Sequence, residues 1–411
     1  MNERIKSCFF VANNNIGVGG LSGGDRIFIE LARNWKNKVK LTIIGCEEAI
    51  AVCKWKGLMD IDFLKSSSKL GLENTFTLRA LFLNFFKKLI NGTLFVLRNR
   101  KLFKANSYIY SVSDFYPDLI PAFLIKLINP KVKWIAGYYL FVPSPWDKDS
   151  PYKGRDCFRG FLYWLSQKPT YWLVNKYADI VFVTSEPDKG KFITKKRNGQ
   201  RVIVVRGGVN IEESTRYLNN CSIIPLKDRK YDGCFVGRFH QQKGVLVLID
   251  IWRKVVDKIP SAKLAMIGNG PLEADVKKKV TKLGLKDNVD LFGFMDGEEK
   301  FEIFKQSKVV LHPATFDSGG MAAAEAMAWG LPGIGFDLEA LKTYYPKGMI
   351  KVAQGDYEKF AEEIIELLDN KDYYLKLSNE ARDLIVKEWD WDKRAAFIYE
   401  QINKGLNYEE R

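Results

Sequence analysis

Histidine is nearly missing from this chain of 411 residues, which has only His240 and His312. The six cysteines are scattered at positions 8, 46, 53, 157, 221 and 234, with no C-x-x-C pair. Together these absences exclude a zinc framework or a disulfide scaffold, and the cytosol is the expected compartment. No run of about 18 uncharged apolar residues occurs, so no bilayer-spanning helix is expected. The apolar run from Cys8 to Ala12 is too short for a secretory leader core and reads as a buried strand. With 14 prolines, 27% charged and 46% hydrophobic residues, the chain is neither extensively disordered nor fibrous. At roughly 150 residues per domain, its length points to two domains or one unusually large one.

Acidic residues are sparse in one half only. Residues 1–205 carry 33 Lys and Arg against 16 Asp and Glu, an excess of +17, whereas residues 206–411 carry 31 against 33. The first half therefore accounts for the whole net charge of +15. Such a surface attracts polyanions: nucleic acid, an anionic membrane face or phosphate-bearing substrates. Residues 74–113 hold seven basic side chains and no acidic one, interleaved with Phe76, Phe82, Phe85, Phe86, Phe95 and Phe103. Residues 76–104 fit a basic amphipathic helix, or a helical pair, lying in a membrane interface. They also fit a core-facing aromatic stripe with a solvated basic face.

Short apolar runs rich in β-formers alternate with helical patterns. In the first half, strands are expected at 6–12, 40–45, 107–112, 133–136, 179–184 and 202–205. In the second they are expected at 232–236, 263–267, 289–292, 308–311, 333–336 and 349–352. This rhythm predicts an α/β fold of two Rossmann-like, doubly wound parallel-sheet domains, with ligands outside the carboxyl ends of the strands and in a cleft if the domains face each other. Residues 206–230, with Gly207-Gly208 and Asn219-Asn220, show little periodicity and read as a linker. The expected domains are 1–205, joined by a helix at about 392–411 that crosses back, and 206–391 including the linker.

Three loops are suited to phosphate. The first, after the opening strand, contains Gly17, Gly19, Gly20, Gly23 and Gly24 ahead of an amphipathic helix. Its glycines would let backbone N–H groups approach an anion, but a flexible turn reads equally well, and no G-x-G-x-x-G or Walker sequence is present. The second, Gly237 to Gly244, places Arg238 and Lys243 five residues apart after a strand, where both could reach a diphosphate or simply face solvent. The third runs from His312 through Asp317, Ser318, Gly319, Gly320 and Met321 into an alanine-rich helix carrying Glu325 and ending at Gly330. Two carboxylates there could accept bonds from two sets of hydroxyls, while the helix N–H groups face an anion. Alternatively, Asp317 is an N-cap and Glu325 a surface residue.

Taken together, these pieces resemble the retaining glycosyltransferases of family 4, most specifically over residues 232–388. There, Val236-Gly237-Arg238 with Lys243-Gly244, Ile267-Gly268-Asn269-Gly270, Val289 to Gly293, and Asp317-x7-Glu325 with Gly330 and Pro332 fall in the family's order. The resemblance implies two Rossmann-like domains facing across a cleft, the GT-B arrangement. It makes Arg238 and Lys243 the diphosphate pair, supplemented by the N–H groups of Gly320 and Met321. Asp317 would bind hydroxyls of the transferred sugar and Glu325 the ribose. Gly19, Gly20, Gly237, Gly268, Ser318 and Gly319 would line the donor, with Gly293 and Phe294 near the base. The family usually has Glu at position 317. It also often places a histidine after a first-domain strand, a slot that aligns here with Tyr138.

The implied activity is transfer of a hexose-type sugar, with retention, from a UDP- or GDP-linked donor to a hydroxyl of a glycan or lipid-linked acceptor. No cofactor or metal is implied, and peripheral attachment to the inner face of the cell membrane is compatible with the basic half. A nucleotide-sugar epimerase of the same fold and a basic nucleic-acid-binding protein are the alternatives. The second leaves the paired carboxylates unexplained, since they would repel a phosphate backbone.

Overall fold

The computed structural model describes residues 7–14, 21–68, 78–147, 150, 152, 154, 157–220, 222–317 and 319–407. The chain forms two compact units. The first comprises Met1–Asp147, Tyr152–Gly207 and Asp392–Arg411, and the second Lys148–Pro151 and Gly208–Trp391.

The first unit is built on seven strands: β1 (Ser7–Ala12), β2 (Lys40–Cys46), β3 (Asp62–Ser67), β4 (Ser107–Ser111), β5 (Lys133–Gly137), β6 (Ile180–Val183) and β7 (Val202–Val204). They lie all parallel in the order β3-β2-β1-β4-β5-β6-β7. Both faces of this sheet are covered, which is why its strands read as continuous apolar runs. Within β1, Phe10 meets Trp35 on one face while Phe9 meets Phe103 on the other. The helix Trp391–Asn407 packs back on this unit: Trp35 Nε1 donates to Ala395 O at 3.0 Å, and Arg201 Nε to Gly405 O at 3.0 Å.

Three local expectations need correction. The strand β3 was not anticipated, because as an edge strand pairing only with β2 it tolerates exposed Asp62 and Lys65, which break the apolar pattern. Inside the expected linker, Glu212–Leu218 is helical. Seven residues are too few for periodicity to register, and this helix is held from outside by Arg382, whose Nη1 donates to Ser214 Oγ at 3.0 Å. Within the basic segment, Lys88 is buried and its Nζ lies 3.1 Å from Glu48 Oε1, so it does not contribute to a solvated face.

The second unit has six strands: β8 (Tyr231–Val236), β9 (Leu264–Ile267), β10 (Val289–Gly293), β11 (Ser307–His312), β12 (Gly333–Phe336) and β13 (Met349–Val352). Their order is β10-β9-β8-β11-β12-β13, again parallel throughout. One face packs under Trp252, Val255 and Phe360, the other under Ala323, Ala324 and Met327. The connections diverge between β8 and β11, which opens a crevice at the carboxyl ends of those two strands. Among the described residues, no helix is long and apolar enough to cross a membrane.

Candidate functional site

The loops leaving β8 and β11 meet at this crevice. Thr315 N donates to Gln242 O at 3.0 Å, and Gly244 sits against Pro313. Gly244 has φ +66°, and a Cβ there would stand 1.9 Å from Pro313 O, so only glycine lets the two loops close. A similar constraint acts at Gly268, whose φ is +141° and whose Cβ would lie 1.9 Å from Gly237 O. Gly268 N also donates to Gly293 O at 2.7 Å, so Gly237, Gly268 and Gly293 gather at one edge of the sheet. Phe294, next along, is exposed.

Loop closure brings together two residues 74 positions apart: Lys243 Nζ donates to Asp317 Oδ2 at 2.6 Å. His312 Nε2, at the end of β11, stands 3.1 Å from the same oxygen, close enough to act electrostatically though off the axis of a hydrogen bond. Burial alone would push the Asp317 carboxyl up, but the Lys243 ammonium and the His312 ring hold it well below the ordinary carboxylate range. Asp317 therefore stays ionised. It is not an N-cap: Gly320, with φ +62°, caps the helix Met321–Met327, and Tyr345 Oη donates to Gly320 O at 2.7 Å. Arg238, on the β8 loop, is exposed and makes no ion pair among the described residues.

Glu325 is likewise no surface residue. It is 7% exposed, and its Oε2 accepts from Lys300 Nζ at 2.7 Å. Lys300 is itself buried and also donates to Asp296 Oδ1 at 2.9 Å. The sequence reading missed Lys300. Its one local signal is the i, i+4 spacing to Asp296, a pattern common on any helix. His312 was noted but not linked to Asp317, although it ends the strand that precedes it.

In the first unit, Gly19 and Gly20 lie outside the described residues, as Ser318 does in the second. The start of that first loop is anchored by Asp118, whose Oδ1 accepts from Asn14 N at 2.8 Å and also from Asn13 N. Tyr138 does not serve as an exposed substitute for histidine. It is fully buried among Phe141, Tyr171 and Phe192, with ring centroids 4.7 to 6.2 Å apart, and burial pushes its phenol up, away from acid–base use. Its neighbour Tyr139, one register step on, is also buried and bonded to the Tyr110 hydroxyl.

Residues 219–384 match the family model described as glycosyl transferases group 1. An uncharacterised glycosyltransferase of Methanocaldococcus jannaschii is 26% identical over 260 residues, covering 61% of this chain and 60% of that protein. The poly(glycerol-phosphate) alpha-glucosyltransferase of Bacillus subtilis is 25% identical over 164 residues, covering 39% of this chain and 24% of that one. The chain thus spans less than two thirds of the length of these curated relatives. Among solved structures, a variant of S. aureus TarM in complex with fondaparinux, alpha-GlcNAc-glycerol and UDP superposes with TM-score 0.70 at 13% identity, covering 97% of this chain and 100% of that one. Anabaena HepE in complex with UDP and glucose gives TM-score 0.68 at 14% identity, covering 97% and 99%. These likenesses establish the fold as that of the GT-B glycosyltransferases.

Proposed function

We propose, on the premise that residues 219–384 are a group 1 glycosyl transferase module, that this protein moves a hexose-type sugar from a UDP- or GDP-linked donor to a hydroxyl of a glycan or lipid-linked acceptor, with retention. The observation that carries the reading is the joining of the β8 and β11 loops, which sets Lys243 on Asp317, with Arg238 exposed on the same β8 loop as Lys243. In the transfer, the bond from the anomeric carbon to the diphosphate breaks with its electron pair leaving on the diphosphate. The acceptor oxygen bonds to that carbon and its proton departs with the leaving group. Negative charge thus grows on the diphosphate, and cations fixed beside it lower the barrier.

Arg238 would meet that charge directly. Lys243, already neutralising Asp317, would share its ammonium between carboxylate and diphosphate, which fixes the sugar-binding oxygen relative to the phosphate. Backbone N–H groups of Gly320 and Met321 would add to the same site. Glu325, held by Lys300, would accept from the ribose hydroxyls, and Gly293 with Phe294 would border the base. The UDP bound in the TarM and HepE structures favours a uridine donor, and the resemblance to family 4 supports retention.

The deciding experiment is a panel of UDP- and GDP-sugars screened by thermal shift and then by turnover on glycan and lipid-linked acceptors. One donor should raise the melting temperature, since ligand at about 100 times Kd adds about 2.7 kcal/mol to stability. Arg238→Ala should lower turnover on the order of 10²–10³-fold, the cost of losing a donor aimed at developing charge. Near-normal turnover of that variant would remove Arg238 from the site. Full turnover in excess chelator is expected, because the protein cations would take the role of a divalent ion. Sugar epimerisation without acceptor, or salt-sensitive oligonucleotide binding without donor binding, would favour the rival readings.

A further inference from the structure

The helices that follow β3, β4 and β5 carry an apolar outer face that is left exposed among the described residues. On the helix Leu78–Arg98, the side chains of Phe82, Phe86, Ile90, Leu94 and Leu97 are all exposed, Phe82 at 62%. Their spacing of three and four residues puts them on one stripe, which at 1.5 Å per residue runs about 22 Å. The helix Cys157–Tyr177 repeats the pattern with exposed Phe158, Leu162, Leu165 and Trp172. Between them lies the helix Tyr116–Ile128, which ends in exposed Leu127 and Ile128. Tyr116 ties the three together: its ring lies 6.3 Å from Phe85, and its hydroxyl donates to Ser166 O at 2.8 Å. Beside the third helix, Trp146 is 69% exposed and packs edge-on to Phe161 and Trp164.

Apart from the exposed Asp147 next to Trp146, the exposed charge on this face is positive. Residues 157–178 contain three basic residues and no acidic one, matching the acid-free segment 74–113. The helix between them carries only Asp118, which is buried, and Lys126, paired to Asp179 at 2.8 Å. Arg98, Arg100, Lys101 and Lys104 are exposed where the first stripe ends, and Lys168 and Lys176 lie over the rings of Trp164 and Trp172 at 4.2 and 4.7 Å. Large exposed apolar residues bordered by cations and tryptophans are the composition that inserts into the headgroup region of an anionic bilayer. A second copy fits poorly, because an isologous contact would bring two like-charged faces together.

We propose that this three-helix face of the first unit docks on an anionic membrane surface, with the phenylalanine and leucine stripes inserted and the arginines and lysines at the phosphates. The inference is independent of the donor chemistry above and stands or falls without it. The test is sedimentation of the full chain with phosphatidylcholine vesicles containing 30% phosphatidylglycerol, and with pure phosphatidylcholine, at low and high salt. Strong binding to the anionic vesicles at low salt is expected, weaker at high salt and weak to pure phosphatidylcholine. The double variant Phe86→Asp with Ile90→Asp should lose at least about tenfold in partitioning, since two inserted apolar groups are replaced by charges that anionic lipid repels. Melting temperature and turnover on a soluble acceptor should be unchanged. Arg98→Gln with Lys101→Gln, which leaves the stripe intact, should weaken binding to anionic vesicles only. Absence of wild-type binding at low salt would overturn the proposal, as would unchanged binding of the aspartate variant. So would a wild-type dimer that the aspartate variant breaks, because the stripe would then be a subunit interface.

Discussion

Asp317 and Glu325 differ in their charged partners. The Asp317 carboxylate is held well below its ordinary range by Lys243 and His312 against the push of burial. A depressed carboxyl contributes stability that is present above about pH 4 and is lost only as pH falls through its low folded value. Asp317 therefore adds no limb to a rate–pH profile between pH 5 and 8. Glu325 is paired with the buried ammonium of Lys300 at 2.7 Å. Removing one partner of a buried pair takes away most of what offsets the other charge's burial, at a cost of up to about 3–5 kcal/mol. Lys300→Ala should show that loss in urea denaturation, together with weaker binding of UDP or GDP. The exchange Lys300→Arg should recover part of both. Neither pair is visible as a pair in the sequence, where 74 and 25 residues separate the partners. The single residues Lys243, Asp317 and Glu325 stand out because each follows a strand end or a glycine turn.

At the scale of elements, the loops at the carboxyl edge of the first sheet are joined by a buried polar link. Gln167, on the helix Cys157–Tyr177, donates to Asp114 Oδ2 at 2.7 Å after β4, and its Oε1 accepts from Val142 N at 2.9 Å after β5. Burial pushes the Asp114 carboxyl up to about 6, with the Gln167 bond pulling the other way. A raised carboxyl stabilises the fold fully below its unfolded value and loses that contribution as pH rises through the folded one. Between about pH 4 and pH 6 this group should remove up to about 1.4 kcal/mol of stability per pH unit. Asp114→Asn should lack that slope. Comparing the two proteins by denaturant titration at pH 4.5 and 7.5 checks the sign: the variant gains relative to wild type as pH rises. Twelve of the strands were readable from apolar runs because helices cover both sheet faces. The exceptions, β3 and the helix Glu212–Leu218, are an edge and a single short turn system, whose stability comes from neighbours and not from their own pattern.

At the scale of the whole molecule, the chain, after the brief excursion of Lys148–Pro151 into the second unit, leaves the first at Gly207 and returns at Asp392 to finish it. Ile398 and Ile402 of the returning helix are buried. Ile402→Ala should therefore cost about 2–5 kcal/mol, as expected for a large-to-small change in a core. The loss should fall on the first unit, although residue 402 lies beyond the second in the chain. Limited proteolysis with mass mapping reads this directly: new cuts should appear within residues 7–207, with residues 231–388 protected as before. Cuts confined to the second unit would contradict the assignment of this helix.

The sequence by itself determined the α/β class, the paired parallel sheets, the positions of the glycine turns and the excess of positive charge in the first half. These are local quantities: an apolar run, a glycine or a charge count is complete within a few residues, and a helix covering each sheet face makes every strand but the edge strand β3 an apolar run. Only the tertiary structure decided which charges meet and which aromatics are buried. Tyr138 and Lys88 look no different in sequence from Phe86 and Lys87, yet Tyr138 is sealed in the core and Lys88 is closed on Glu48. Side-chain exposure depends on what the rest of the chain packs against each face, and that packing is settled by contacts between residues far apart in the chain.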